Sequence, residues 1–187
     1  GFGVLGRKGS GTVEYFGLSK NRDIIQIGTL SKAVGGLGGY VAASKNLIDL
    51  LINQARSFIF STGLPPATLA AAATAVDIIH SCVETRQKLL GNARKLKNEL
   101  HQHKFDFLVN ETQIIPLIIG SAKRTLHFSE VLFEHGVYAP AIRPPTVPEG
   151  TSRLRISVIA THTDDDIRKV IQALIESRTL VDKIYQL

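Results

Sequence analysis

The sequence contains no methionine and no tryptophan, a single cysteine, and 8 phenylalanines and 4 tyrosines among its 187 residues. One cysteine, Cys82, excludes an intramolecular disulfide framework and predicts a reducing setting, the cytoplasm first, with the peroxisome or another organelle as the alternative. Few aromatics, none interleaved with a basic run, leave no stacking face for nucleic-acid bases. No uninterrupted apolar stretch is long enough to span a membrane, because Lys45, Asp49, Asn53 and Arg56 break up the best candidate. The absence of even an initiator methionine predicts that the sequence is a piece of a longer polypeptide, so no targeting segment can be judged.

What is present is a globular composition, 44% hydrophobic, with a formal charge of +6 from 22 Lys and Arg against 16 Asp and Glu. The basic residues are scattered, often beside acids. Neither nucleic acid nor a membrane is therefore an expected partner, and phosphate-bearing or thioester substrates account for the excess at least as well.

The densest signal is Gly28-Thr-Leu-Ser-Lys-Ala-Val-Gly-Gly-Leu-Gly-Gly-Tyr40. A lone lysine, Lys32, follows an apolar, strand-like segment (23–30) and precedes four glycines that permit tight turns or close approach. Thr29 and Ser31 add hydroxyls suited to an anion such as phosphate. A lysine placed so can form a Schiff base with a cofactor aldehyde. The competing reading is a solvated lysine on a turn. A P-loop is disfavoured, since Ala33 follows the lysine where Ser or Thr is needed.

Along the chain, 23–30 and 39–43 read as short buried strands joined through this loop. Leu47, Leu50, Leu51 and Ala55 predict an amphipathic helix over 45–58. Pro65-Pro66 marks the start of a closely packed, alanine-rich helix over 67–79. A domain boundary falls after Cys82, dividing residues 1–82 from 83–187. Beyond it, Leu89, Ala93, Leu96 and Leu100 form the stripe of a long charged helix. A strand at 114–119, a helix burying Phe128, Val131 and Leu132, and strands at 137–142 and 153–159 follow. Thr163 caps a last helix, with Asp164 to Asp166 at its positive end and Ile167, Val170, Ile171, Leu174 and Ile175 inward. The fold class is α/β: part of a large α/β domain, then a smaller α+β domain.

Several side chains carry two readings. Thr29 either bonds its own backbone or meets an anion; Ser61 and Thr62 either cap the helix begun by Pro65-Pro66 or do the same. Arg143 and Arg155, separated by a proline-rich loop and a strand, suit two-pronged recognition of a carboxylate. Arg153 and Arg155 share a face on that strand, so one of them can be merely solvated. Cys82 reads as a buried structural thiol and His162 as structural. His101 and His103 point apart on a helix, so no metal site is expected.

Three segments, the lysine run, Phe60-Ser-Thr-Gly-Leu-Pro-Pro66 and Pro144-Pro-Thr-Val-Pro-Glu-Gly-Thr-Ser-Arg-Leu-Arg155, resemble in order and spacing the signatures of the pyridoxal-phosphate α-oxoamine synthases. Gly1-Phe-Gly-Val-Leu-Gly6 resembles the stretch that follows the family's Asp-Glu-Ala-His motif. The resemblance implies a PLP-dependent transferase of fold type I, with pyridoxal 5'-phosphate as cofactor and an acyltransferase activity. It implies Lys32 as the catalytic, cofactor-bearing lysine, Thr29 on the cofactor phosphate, and Ser61 and Thr62 reaching a phosphate across a homodimer interface. It also implies Arg155 as the residue holding the amino-acid carboxylate, with Arg143 assisting. Ala141-Ile-Arg-Pro-Pro-Thr-Val-Pro148 is most similar to the version that joins L-alanine to pimeloyl-CoA in biotin biosynthesis. Sister activities on glycine or serine, a non-catalytic partner subunit and a basic nucleic-acid module remain the alternatives. The family's ring-facing aspartate and histidine have no counterpart in the sequence, so the isolated fragment is expected to be inactive.

Overall fold

The computed structural model describes residues 1–185, which form two compact units, Gly1–Arg86 and the residues from Gln87 onward. The first unit opens with glycine-rich turns, closed by Gly3 N–H to Gly9 O (2.8 Å) and Gly11 N–H to Leu5 O (2.9 Å), and the short helix α1 (Thr12–Tyr15). Strands β1 (Gln26–Thr29) and β2 (Gly39–Ala42) pair antiparallel, with Gly28 opposite Tyr40. Helices α2 (Lys45–Gln54), α3 (Arg56–Ile59) and α4 (Pro66–Ser81) follow. Val34, Ala72 and Ile79 are the buried centre, with Phe2, Leu30 and Ala75 packed against them.

This unit departs from three expectations. The strands are not buried: Ile27 is 81% exposed, because a two-stranded sheet keeps both edges free and little packs over it. The helix expected over 45–58 breaks at Ala55, whose ψ of 97° is extended. Neither α2 nor α3 buries a residue, and without a packed face a longer helix has little to hold it. Helix α4 begins with Pro66 at its first turn but is not closely packed along its length: only Ala72 and Ile79 are buried. Ala72 lies against the loop at Gly36, and Ile79 against the glycine turns at Gly3 and Gly9.

Arg86 closes the far end of α4. It is buried, and its guanidinium donates to the carbonyls of Ile79, Cys82 (3.3 Å) and Arg7 (2.9 Å). These include carbonyls of the last helical turn, which would otherwise lack partners. Cys82 itself caps α4 and is half-buried rather than sequestered.

Helix α5 (Val83–Gln102) carries the chain into the second unit, followed by β3 (Ile114–Gly120), α6 (Ala122–Glu134), β4 (Ala141–Ile142), β5 (Ser152–Ser157) and α7 (Asp164–Tyr185). The sheet is antiparallel with β5 central, in the order β3-β5-β4. Its core joins Ala93, Leu96 and Leu100 of α5, Phe128 and Leu132 of α6, Leu154 of β5 and Leu174 of α7. The apolar stripes predicted for these helices are therefore the ones buried. The strand expected over 137–142 shrinks to two residues. Pro140 has no N–H to offer a ladder, and Ala139 O instead accepts from the Ser129 hydroxyl (2.7 Å).

No single helix among the described residues is long and apolar enough to cross a membrane.

Candidate active site

In the first unit, β1 ends at Thr29 and its chain turns before returning as β2. Gly35 N–H donates to Lys32 O (2.9 Å), Gly36 N–H to Leu30 O (2.7 Å), and Leu30 N–H to Gly38 O (2.9 Å). Lys32 rides on this turn, exposed, and its ammonium has no partner among the described residues. Behind it the Thr29 and Ser31 hydroxyls lie 2.7 Å apart, and Ser31 N–H donates to Thr29 Oγ1 (3.2 Å). The Thr29 oxygen thus serves the local backbone, and the hydroxyl pair is exposed.

Glycine is required at two points here. A Cβ on Gly28 would lie 2.6 Å from Tyr40 Oη, so the bare backbone lets the tyrosine ring cross the ladder; Tyr40 also meets Phe2 edge-on at 5.5 Å. Gly38, with φ +111°, would drive a Cβ to 2.7 Å from Leu64 Cδ1. An open cleft of about 370 Å³ results, with Phe2, Ser10, Gly28, Thr29, Lys32 and Tyr40 among its walls. One wall is braced by Glu14. Burial pushes its carboxyl up, but N–H donation from Lys8 (2.8 Å) and Ser10 (2.9 Å) holds it below the ordinary value.

Ser61 and Thr62 do not line this cleft. They follow α3, both exposed; Ser61 donates to Ser57 O, and the Thr62 hydroxyl has no partner among the described residues. Neither caps α4, whose first turn has no side-chain cap.

In the second unit, β5 alternates: Ser152, Leu154 and Ile156 are buried, while Arg153 and Arg155 face the other way. Arg155 stands opposite Pro116 and is exposed, and no described residue engages its guanidinium. Arg143, next to β4, is likewise exposed and unengaged. Arg153 differs, donating Nε to Thr151 O (2.9 Å) and Nη2 to Thr151 Oγ1 (3.0 Å). Sequence reasoning paired Arg153 with Arg155 but missed Thr151, whose only signal is its place two residues before Arg153.

His162 is held in the turn before α7: Asn92 Nδ2 donates to its carbonyl (2.9 Å), and Ile159 N–H approaches its Nδ1 (3.4 Å). No group of three or more metal-ligating side chains occurs among the described residues.

The model of the aminotransferase class I and II family matches residues 2–174. The 8-amino-7-oxononanoate synthase of Geobacter sulfurreducens is 47% identical over 176 residues, 93% of this chain and 45% of that protein. A solved structure of SPT containing PLP superposes with a TM-score of 0.91 at 30% identity, over 96% of this chain and 46% of that one. The structure of 8-amino-7-oxononanoate synthase from Francisella tularensis gives 0.85 at 26% identity, over 100% and 53%. The chain thus spans about half the length of the relatives it matches.

Proposed function

The chain belongs to the aminotransferase class I and II family, with the fold of the type I pyridoxal-phosphate transferases, and from that membership we propose a decarboxylating acyl transfer for the protein it forms part of. L-Alanine is joined to pimeloyl-CoA, releasing CoA and carbon dioxide, and 8-amino-7-oxononanoate is formed. The observation carrying this reading is Lys32, an unengaged ammonium on a glycine turn beside the paired Thr29 and Ser31 hydroxyls. Alanine and pimeloyl-CoA are supported by the 47% identity to the 8-amino-7-oxononanoate synthase of Geobacter sulfurreducens.

The residues present fit pyridoxal 5'-phosphate. Lys32 offers the primary amine an aldehyde needs, and Thr29 an exposed hydroxyl for a phosphate. When bound, that cofactor supplies a sink for the electron pair left at the amino-acid Cα. Lys32 would hold the cofactor through its Nζ, and the same nitrogen would accept the proton leaving the amino-acid Cα. Arg155 receives the carboxylate in its two-pronged fork, with Arg143 assisting. Ser61 and Thr62, which do not line the Lys32 cleft, serve the phosphate of a second copy in a homodimer. Residues 1–82 belong to the large cofactor domain and 83–187 form the small domain; the last two of these lie outside the described residues.

Borohydride reduction of the full-length protein with pyridoxal phosphate, followed by peptide mapping, should place the label on Lys32. Label on another lysine, or none, ends the proposal. The same protein should turn over alanine with pimeloyl-CoA faster than glycine or serine with other acyl-CoAs.

A further inference from the structure

Arg153 occupies the junction of a loop with few hydrogen bonds of its own. Between β4 and β5 the chain runs from Arg143 to Thr151, with prolines at 144, 145 and 148 that have no N–H to donate. Its backbone is closed by Thr146 N–H to Arg143 O (3.0 Å) and Thr151 N–H to Pro148 O (3.2 Å). Arg153 meets both ends of this loop. Its backbone pairs with Ile142, the residue before Arg143, in the β4–β5 ladder. Its guanidinium grips Thr151 at the other end through two bonds, and the Thr151 hydroxyl in turn donates to Pro148 O (2.7 Å). The hydroxyl therefore accepts from the cation and donates onward, a chain in which each bond polarises the next.

We propose that Arg153 is a positioning residue: through Thr151 it fixes the path of the loop that carries Arg143, leaving Arg155 as the free guanidinium on that face of the sheet. Arg153 and Arg155 thus have separate tasks despite their shared face. Because Nε and Nη2 contact two different atoms of one residue, a lysine cannot reproduce the grip. Arg153 does not bind substrate in this account. Its effect on turnover, which rests on the functional reading above, comes from where it leaves Arg143.

The test uses the full-length enzyme with Arg153→Gln, Thr151→Val and Thr151→Ser, each checked for an unchanged cooperative melt. Without substrates, Arg153→Gln and Thr151→Val should both speed amide exchange at Thr146 and Thr151, by about tenfold or more, while Thr151→Ser behaves as wild type. In turnover, both should raise KM for the amino acid by about tenfold and lower kcat far less. The double variant should lose less than the sum of the two singles, since the Nη2–Oγ1 bond is lost in both. A silent Thr151→Val, or additive losses, would make Arg153 act independently of Thr151 and overturns the proposal. Unchanged exchange in both variants overturns it as well. If wild type shows no activity on any amino acid and acyl-CoA, the functional reading fails, and the exchange data alone still decide for or against the clamp. If Thr151→Val melts non-cooperatively, Thr151→Ala, which removes the same hydroxyl, takes its place.

Discussion

Three arginines on or beside one small sheet differ in what already engages them. Arg153 is occupied by Thr151, whereas Arg143 and Arg155 have no partner among the described residues. An unengaged, exposed guanidinium stays hydrated and ready for a planar anion. Replacing Arg155 by lysine keeps the charge and loses the fork. A hydrogen bond to a charged group contributes about 1.5–3 kcal/mol, so KM for the amino acid should rise roughly tenfold to a hundredfold. Steady-state kinetics over an alanine series check this, and an unchanged KM would place the carboxylate elsewhere. Strand alternation was enough to put Arg153 and Arg155 on one face. It was silent on which of them is free, because that depends on where the loop returns Thr151. Lys32 shows the same boundary: its glycine context is plain in the sequence, but the hydroxyl pairing of Thr29 with Ser31 depends on the path of the turn.

At the level of elements, legibility followed burial. The stripes of α5, α6 and α7 were readable because each packs into one core, and core packing is what hydrophobic periodicity encodes. Helix 45–58 and the strands of the first unit were misjudged where the described residues supply little to pack against. The start of α7 was legible for a local reason. Thr163 Oγ1 accepts from Asp166 N–H (3.2 Å), while Asp166 Oδ2 accepts from Thr163 N–H (2.8 Å), a reciprocal cap. That backbone donor, with the Thr163 hydroxyl, holds the Asp166 carboxyl below its ordinary value; Lys95, bonded at 2.6 Å, does the same for Asp164. A carboxyl depressed by folding stabilises fully above its unfolded pKa, and the benefit is lost as pH falls through the folded value. Melting midpoints should therefore decline on the acid side, and Asp166→Asn should flatten that decline while leaving the slope above neutrality alone. Thr163→Ala removes the cap itself and should cost about 1 kcal/mol at neutral pH by denaturant titration.

Across the whole molecule, the two units are unequal in what they bury. The second holds a continuous core from α5 to α7, whereas the first has three buried apolar residues at its centre and leaves Phe58 65% and Phe60 77% exposed. Phe60 directly precedes Ser61, with Phe58 two residues earlier, and neither Ser61 nor Thr62 lines the Lys32 cleft. Apolar surface beside unused polar groups is the composition of an interface whose core is greasy and whose contacts are specific. We propose that the segment at 58–62 packs against a second copy, and subunit mixing tests this. A full-length Lys32→Ala protein and a full-length Thr62→Ala protein should each be strongly impaired. After verified exchange, a mixed dimer regains one site with both Lys32 and Thr62 intact, so activity should return to about a quarter of wild type when equal amounts exchange at random: half the dimers are mixed and each has one of two sites restored. If Thr62 instead serves the lysine of its own chain, every site in the mixed dimer lacks one residue and no activity returns.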